Sequence, residues 1–358
     1  MATPSRLNCL ATLVTILMNR AFATEPAVPW PEVRADGSVA FLLDAPRAKQ
    51  VKIWGDWMAG GDGVTMQRTA RGWTLTVTRL TPGPHLYCFF VDGLRVADPR
   101  NRAVKNGYPG ISSIVHAPMS VPVPAGITHV HHYRNPETSL SRTVRVYTPS
   151  RYSPEARLPV LFLLHGSSDS DRDWLGLGQA AEILEDQMSR DKAKPMILVF
   201  PDGHPYPSLD VSTRAANLRM LRAEFAQIIT PLVENRYHPA QGPTNWAIAG
   251  LSMGGSQALH LAALDLGRFG TVAAFSAPGD IPGGATLLNS WTAARDRMPP
   301  TVFRLWCGTS DPFFAEARLA YDQLRSLGLT AGWRETPGAH DWATWRSHLA
   351  ELMQALFH

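Results

Sequence analysis

From Val39 to about Val115, apolar residues recur at alternate positions in short runs: Val39 to Leu43, Val51 to Trp54, Trp73 to Leu80 and Leu86 to Val91. A period of two turns one face of each run to a core and the other to water, which is the signature of half-buried strands. Gly60-Gly-Asp-Gly63, Thr81-Pro-Gly83 and Asp92-Gly93 punctuate the runs with turn residues, so residues 24–118 are expected to form a small β-sandwich. The stretch Ala117-Pro-Met-Ser-Val-Pro-Val-Pro-Ala125 carries three prolines that stiffen it and prevent regular pairing, which predicts a linker over 119–126. Beyond it the pattern changes. An antiparallel pair is expected at 128–133 and 143–147, followed by continuous apolar runs at 160–164, 196–200, 245–249, 271–275, 301–306 and 330–335. Between them lie segments of helical spacing: Leu218, Leu221, Phe225, Ile228 and Leu232 mark one face, with a kink expected near Pro231. Trp345, Leu349, Leu352 and Leu356 mark the last helix. Buried strands alternating with helices over 127–358 predict an α/β domain with helices on both sides of its sheet.

The run ending at Ala249 leads into Gly250-Leu-Ser-Met-Gly-Gly255. A strand, a sharp turn carrying Ser252 and a helix of small residues is the setting of the G-x-S-x-G nucleophile elbow. A serine hydroxyl is a poor nucleophile at neutral pH until a base takes its proton, and the base needs an acid to hold its tautomer. In an α/β-hydrolase fold those partners follow in the order Ser, Asp, His, each on a loop after a later strand. Asp311, in Gly308-Thr-Ser-Asp311-Pro after the run at 301–306, fits the acid; a plain helix cap is the competing reading. Asp280 and Asp296 lie in a Gly/Pro-rich stretch without a preceding strand and are weaker candidates. His340, in Pro337-Gly-Ala-His340-Asp-Trp342, fits the base. His260 and His348 fall within helices and are expected to pack or to face solvent, and Asp341 reads as a cap or a solvated charge.

The oxyanion of an acyl-transfer intermediate needs two aimed donors. The backbone amide of Met253, directly after the nucleophile, is one candidate. The amide of Ser167, in His165-Gly-Ser167-Ser168 after the first long buried strand, is the other, with His165 expected to brace that loop. Trp174, Asp202, His204 and Trp342 follow strand ends and are candidates for substrate contact. The long connection 277–299 is a candidate cover for the site.

His165-Gly, Pro201-Asp-Gly203, Gly250-Leu-Ser-Met-Gly-Gly255, Cys307-Gly-Thr-Ser-Asp311 and Gly338-Ala-His-Asp-Trp342 with Trp345-Arg346 together resemble the esterase family of enterochelin esterases, family 1 carbohydrate esterases such as feruloyl and acetylxylan esterases, and mycolyltransferases. The resemblance spans roughly residues 125–358. It implies an α/β-hydrolase domain, Ser252, His340 and Asp311 as a triad, and the amides of Met253 and Ser167 as the oxyanion hole. Asp341 departs from the small polar residue that often stands between the histidine and tryptophan of the carbohydrate esterases. Asp44-Ala-Pro46, Gly55-Asp56, Gly72-Trp73, Pro82-Gly83 and Val91-Asp-Gly93 with Asp98-Pro99 resemble the immunoglobulin-like early-set module related to family 48 carbohydrate-binding domains. Trp54, Trp57 and Trp73 are of the type that stacks on sugar rings, but strand tryptophans more commonly pack in a core.

Composition then narrows the setting. Arg6 precedes an apolar stretch, Leu7 to Met18, and Ala21-Phe-Ala23 follows it. Twelve residues are too few for a bilayer, which needs about 20, so residues 1–23 are expected to be a cleaved signal peptide and the protein secreted or periplasmic, without a membrane anchor. Losing Arg6 and Arg20 with it lowers the formal net charge from +4 to +2. With no basic run, nucleic-acid binding is not expected. Cys88 and Cys307 remain, one in each half, and read as buried free thiols or, alternatively, a bridge between the halves. No metal-ligand spacing occurs, and no metal or organic cofactor is expected. The expected function is a serine carboxylester hydrolase acting on a small-molecule or polysaccharide ester. The preferred substrate is hydroxycinnamoyl or acetyl groups on plant cell-wall polysaccharide. Alternatives are a siderophore trilactone or, from another class, carbohydrate binding without catalysis.

Overall fold

A computed structural model of the chain describes residues 30–58, 61–107, 110–118, 125–206, 208, 210–265, 267–284 and 286–357. The expected signal peptide at 1–23 and residues 119–124 of the expected linker lie outside the described residues. Two sheets form the N-terminal β-rich region. One holds Val39–Leu43 between Glu32–Val33 and Gly72–Val77, with Gln67–Thr69 at the edge. The other centres on Gly83–Val91, flanked by Val51–Gly55 and Ser112–Ala117, with Val104–Lys105 at one edge. Their facing side chains, among them Phe41, Ile53, Trp73, Tyr87, Phe89 and Val115, make one apolar core. The alternation is plainest in Val51–Gly55, where Val51, Ile53 and Gly55 are buried and the two residues between are half-exposed.

The second region is an α/β-hydrolase-like sheet of eight strands. In spatial order these are Ile127–Arg134, Ser141–Thr148, Ile197–Pro201, Val160–Leu164, Trp246–Leu251, Thr271–Phe275, Val302–Gly308 and Thr330–Thr336. The first two pair antiparallel with each other and the second with the third; all later pairings are parallel. Val160–Leu164 and Trp246–Leu251 are buried along their whole length, because helices cover both faces and leave no position for alternation. One face packs Phe162, Ile248, Leu221, Phe225 and Phe303; the other packs Leu161, Leu163, Phe275, Trp306 and Trp345. Each such side chain removed from water contributes about 1.5–3 kcal/mol.

The helix expected around Leu218 is broken into Arg214–Glu224 and Thr230–Tyr237 by one wide π-type turn, Phe225–Ile229. Pro231, which has no N–H to donate, sits in the first turn of the second piece, so the interruption lies upstream of the proline. Inside, Glu224 is fully buried and accepts from Arg142 Nε at 3.0 Å, Tyr133 Oη at 2.9 Å and Asn135 Nδ2 at 2.6 Å. Arg142 also donates to the carbonyls of Asp202 and His204, at 2.6 and 2.7 Å, and so fixes the loop after Ile197–Pro201.

Cys88 and Cys307 are both buried and free, so no bridge joins the two regions. Burial raises both thiols, Cys307 to about 12 with the nearby Asp311 charge adding to the effect; such thiols are unreactive. No helix among the described residues is long and apolar enough to cross a membrane.

Candidate active site

Strand Trp246–Leu251 ends in a turn that strains the backbone. Ser252 sits there at φ 50°, ψ −121°, where a side chain is rarely tolerated. Its surroundings enforce the turn. A Cβ on Gly250 would overlap the Gly254 backbone, and one on Gly254 would overlap the carbonyls of Leu164 and His165. The Ser252 amide donates to the Phe275 carbonyl at 2.8 Å, tying the elbow to the neighbouring strand. The helix Met253–Leu264 begins at the next residue, so the Met253 amide is one of the first N–H groups, which lack an intrahelical partner.

His340 joins the other two candidates. Its Nε2 lies 3.1 Å from Ser252 Oγ, and its Nδ1 lies 2.9 and 3.1 Å from the carboxylate oxygens of Asp311. Nδ1–H donating to the carboxylate leaves the Nε2 lone pair free to accept from the hydroxyl. Asp311 is enclosed, with its side chain 0% exposed against 23% for His340. Burial works to raise the Asp311 carboxyl, but hydrogen bonding to His340, the imidazole's charge, the Ser276 hydroxyl and the Phe313 amide outweigh it and hold the group below the ordinary carboxylate value. The imidazole is wedged between Trp345, edge-on at 4.8 Å, and Phe313 at 5.1 Å. Trp345 Nε1 donates to Ser276 Oγ at 3.0 Å. Ser276, buried at φ 52°, supports the acid from behind, and nothing in its sequence setting marked it.

Ser167 and Met253 line the same cleft as Ser252, a space of about 680 Å³. The loop carrying Ser167 is held on several sides. His165 Nδ1 bonds the Gly166 carbonyl at 2.8 Å while its Nε2 accepts from the Gly203 amide at 2.8 Å, the bracing expected of it. His204 Nε2 donates to the Ser167 carbonyl at 2.9 Å. Burial lowers the His204 imidazole and favours its neutral form.

Of the four substrate-contact candidates, Trp342 lines this cleft. The other three are corrected. Trp174 is 1% exposed; its Nε1 donates to the Leu164 carbonyl at 2.9 Å and its ring meets Trp342 edge-on at 5.3 Å, so it supports the wall from within the core. Asp202 and His204 open on a separate depression with Arg142 and brace the Ser167 loop. Among the described residues of the connection 277–299, only Pro278 lines the cleft. Leu287–Ala294 is a helix that buries its own Trp291, and Asp280 accepts the Leu287 amide at 2.7 Å, so the described residues of the segment are anchored in the fold and form no cover. Asp341 caps the last helix through the Thr344 amide at 2.8 Å, and His348 is fully buried.

The fixed place of the β-rich region before the α/β domain predicts that it packs there and shapes one wall of the pocket, and it lines the far wall, though sequence reasoning did not say with which residues. Trp54, Asp56, Arg95 and Lys105 of the β-rich region face the cleft. Of these, Trp54 carried a signal as an aromatic on a strand, and Asp56 only as part of the Gly55-Asp56 segment of the early-set resemblance. Trp73 is core, its Nε1 bonded to the Ala45 carbonyl at 3.0 Å, and Trp57 stacks on Phe41 at 5.8 Å. Arg214, at the start of its helix, also lines the cleft and had no signal.

Residues 136–356 match the family model Esterase, described as "Putative esterase". An endo-1,4-beta-xylanase/feruloyl esterase of Xylanibacter ruminicola is 25% identical over 361 residues, covering 93% of this chain and 46% of that protein. An esterase of Mycobacterium tuberculosis is 30% identical over 188 residues, covering 50% of this chain and 38% of its own length. The chain thus spans less than half of either relative. Among solved structures, the enterobactin esterase of Shigella flexneri in the presence of enterobactin superposes with a TM-score of 0.67 at 20% identity, covering 89% of this chain and 92% of that one. A ferulic acid esterase of Anaeromyces mucronatus in complex with ferulic acid superposes at 0.59 and 22% identity, covering 67% and 94%. These two likenesses concern the fold: the first takes in the N-terminal β-rich region as well as the α/β-hydrolase-like sheet. With the elbow, the sheet and the family match in agreement, the chain belongs to the Esterase family of carboxylic ester hydrolases.

Proposed function

We propose that this protein is a secreted serine esterase that removes acyl groups, hydroxycinnamoyl such as ferulate or else acetyl, from plant cell-wall polysaccharide. The observation that carries the chemistry is the single imidazole of His340 within hydrogen-bonding distance of both Ser252 and Asp311. In this reading Ser252 Oγ attacks the ester carbonyl as His340 Nε2 takes its proton, and Asp311 stabilises the imidazolium that forms. The negative charge reaching the carbonyl oxygen faces the amides of Met253 and Ser167. Collapse expels the alcohol, which receives its proton from His340. Water then enters by the same route, and deacylation restores the serine. Every proton moves between side chains of this chain, substrate and water, so activity is expected to survive EDTA.

The feruloyl preference is supported by the relative named a xylanase/feruloyl esterase, which aligns over nearly the whole of this chain. Export is supported by the apolar stretch Leu7 to Met18 with Ala21-Phe-Ala23. A second reading, a siderophore trilactone esterase, is supported by the two-part architecture shared with the enterobactin esterase. Turnover of methyl ferulate, acetylated xylan and enterobactin by one preparation separates them: faster cleavage of the siderophore than of either cell-wall ester overturns the preferred substrate. Absence of a p-nitrophenol burst from p-nitrophenyl acetate would instead favour a binding protein without catalysis.

A further inference from the structure

Lys105 closes the short edge strand Val104–Lys105 of the β-rich region, yet its ammonium reaches into the other domain. Nζ lies 2.7 Å from the Ser168 carbonyl and 2.8 Å from Asp169 Oδ1, with the two side chains 8% and 6% exposed. A Cβ on Gly107 would stand 2.6 Å from the Ser168 carbonyl and 3.0 Å from Lys105 Nζ, so the approach of the two regions needs a glycine there. Burying an ammonium and a carboxylate together only about breaks even against an apolar pair, so interface stability alone does not account for this contact.

What Asp169 does next gives the contact a purpose. Its Oδ2 accepts the Gly166 amide at 3.1 Å, and its own amide donates to the Gly166 carbonyl at 3.1 Å. Both peptide groups flanking Gly166 are therefore gripped by one residue. The Gly166 carbonyl belongs to the same planar trans peptide as the Ser167 N–H, and the two point in opposite directions. The Asp169 amide and His165 Nδ1 hold that carbonyl and so aim the N–H, while the carboxylate paired with Lys105 holds the preceding peptide and the Lys105 ammonium holds the Ser168 carbonyl beyond it. Asp173, whose carboxyl burial pushes up, feels the charge of Asp169 in the same direction and that of Lys105 in the opposite one, so Lys105 also offsets two neighbouring carboxylates.

We propose that Lys105 is a positioning residue for the oxyanion loop, so that full transition-state stabilisation by the α/β domain depends on a charge supplied by the N-terminal region. The inference rests on the reading above in which the Ser167 amide is an oxyanion donor. It assigns the β-rich region a part in catalysis separate from any contact with sugar.

The test uses the full chain and p-nitrophenyl acetate, with Lys105→Met as the variant. A misaimed donor is felt mainly in the transition state, so kcat should fall about 30- to 300-fold with KM within threefold of the parent. Affinity for phenylboronic acid, whose serine adduct carries a tetrahedral negative charge, should fall in parallel with kcat/KM. Asp169→Asn, close in volume and still able to accept the Gly166 amide, should lose kcat in the same direction even if Lys105→Met does not fold. The double variant should be no worse than the weaker single one, because both act through one contact. A kcat within threefold of the parent in whichever of the two variants folds, with Ser252→Ala inactive, overturns the proposal and leaves the serine mechanism standing; so does a loss confined to KM. An active Ser252→Ala overturns both.

Discussion

On one side of the cleft, Ser252, Asp311 and His340 stand on loops at the ends of three parallel strands of a single sheet. On the other, the loop 165–169 is held by His204 from the same sheet and by Lys105 from the β-rich region, 63 residues before the Ser168 carbonyl it contacts. In the proposed mechanism the first side is assembled from groups that meet the reacting atoms directly. On the second, behind the Ser167 amide, stand groups that only hold other groups. A residue of the first kind is tied to a fixed local setting, a strand end and a tight turn, because the chemistry demands both. A residue of the second kind needs only length, charge and a route to its target. The two sides should therefore break differently.

The largest effect is expected on the triad side. Ser252→Ala and His340→Ala should each lower kcat/KM on p-nitrophenyl acetate by about 10⁴- to 10⁶-fold, and the double variant should be no worse than the more damaged single. Their folded stability should stay close to that of the parent, because relief of the φ 50° turn is not part of either change. Additive losses would mean that the two residues do not act as one unit, and the contrast with the loop side would fail.

Next comes the brace beneath the loop side. Arg142→Met leaves the Glu224 carboxylate buried without its cation, which typically costs 3–5 kcal/mol. Urea unfolding should report that loss, and the Asp202–His204 loop should loosen with it. A change below about 1 kcal/mol would show that this network is not what holds the loop.

A pH scan separates the two sides at the third level. Burial pushes the His348 imidazole down to about 4, from an ordinary value of 6.5, where it lies against Phe275 and Trp306 with Nε2 2.7 Å from Thr336 Oγ1. Between those values the unfolded chain binds a proton that the folded chain does not. Stability is therefore full above about 6.5 and falls as the pH drops toward 4, by roughly 3 kcal/mol in total. Asp311 adds a loss of the same sign at lower pH, since its folded carboxyl is held below its ordinary value and must be protonated. His348→Phe should flatten the urea midpoint between pH 6.5 and 4, and an unchanged slope would remove His348 from the account.

The same asymmetry explains what could be read from the chain. The apolar runs at 39–43, 160–164 and 271–275 have the bounds of the strands they form, because a strand covered on both faces has no reason to include polar residues. The short strands Val64–Thr65, Gln67–Thr69 and Val104–Lys105 are largely exposed edges without a hydrophobic pattern, and none was legible. That Ser252, Asp311 and His340 would come together was legible by order and by strand-end placement. Trp174 was misread because an aromatic after a strand looks the same whether it turns to a cleft or to the core; the choice depended on the Leu164 carbonyl within reach of its indole. Lys105 looked like an ordinary surface charge, since a contact made across a domain boundary leaves no spacing rule behind, and nothing in the spacing around Arg214 marked it as lining the cleft.

The smallest effect tests the narrowest distinction, between the two aspartates beside His340. Asp311 lies 29 residues away in sequence and touches Nδ1; Asp341 is adjacent and instead accepts the Thr344 amide at 2.8 Å. Adjacent residues in extended backbone point their side chains apart, and Asp341 is extended at φ −143°, ψ 161°, so its carboxylate is aimed along the helix and not at the ring before it. Asp341→Ala should cost about 1 kcal/mol of stability through the lost cap, seen as a lower urea midpoint, and should lower kcat by less than tenfold. Asp341→Asn, which can still cap, should recover most of that stability. Asp311→Asn should instead lower kcat by about 10⁴-fold, because an amide in place of the carboxylate favours the wrong imidazole tautomer. If Asp341→Ala matched that loss, the base would be answering to its neighbour in sequence, and the local grammar of the triad side would have been misread.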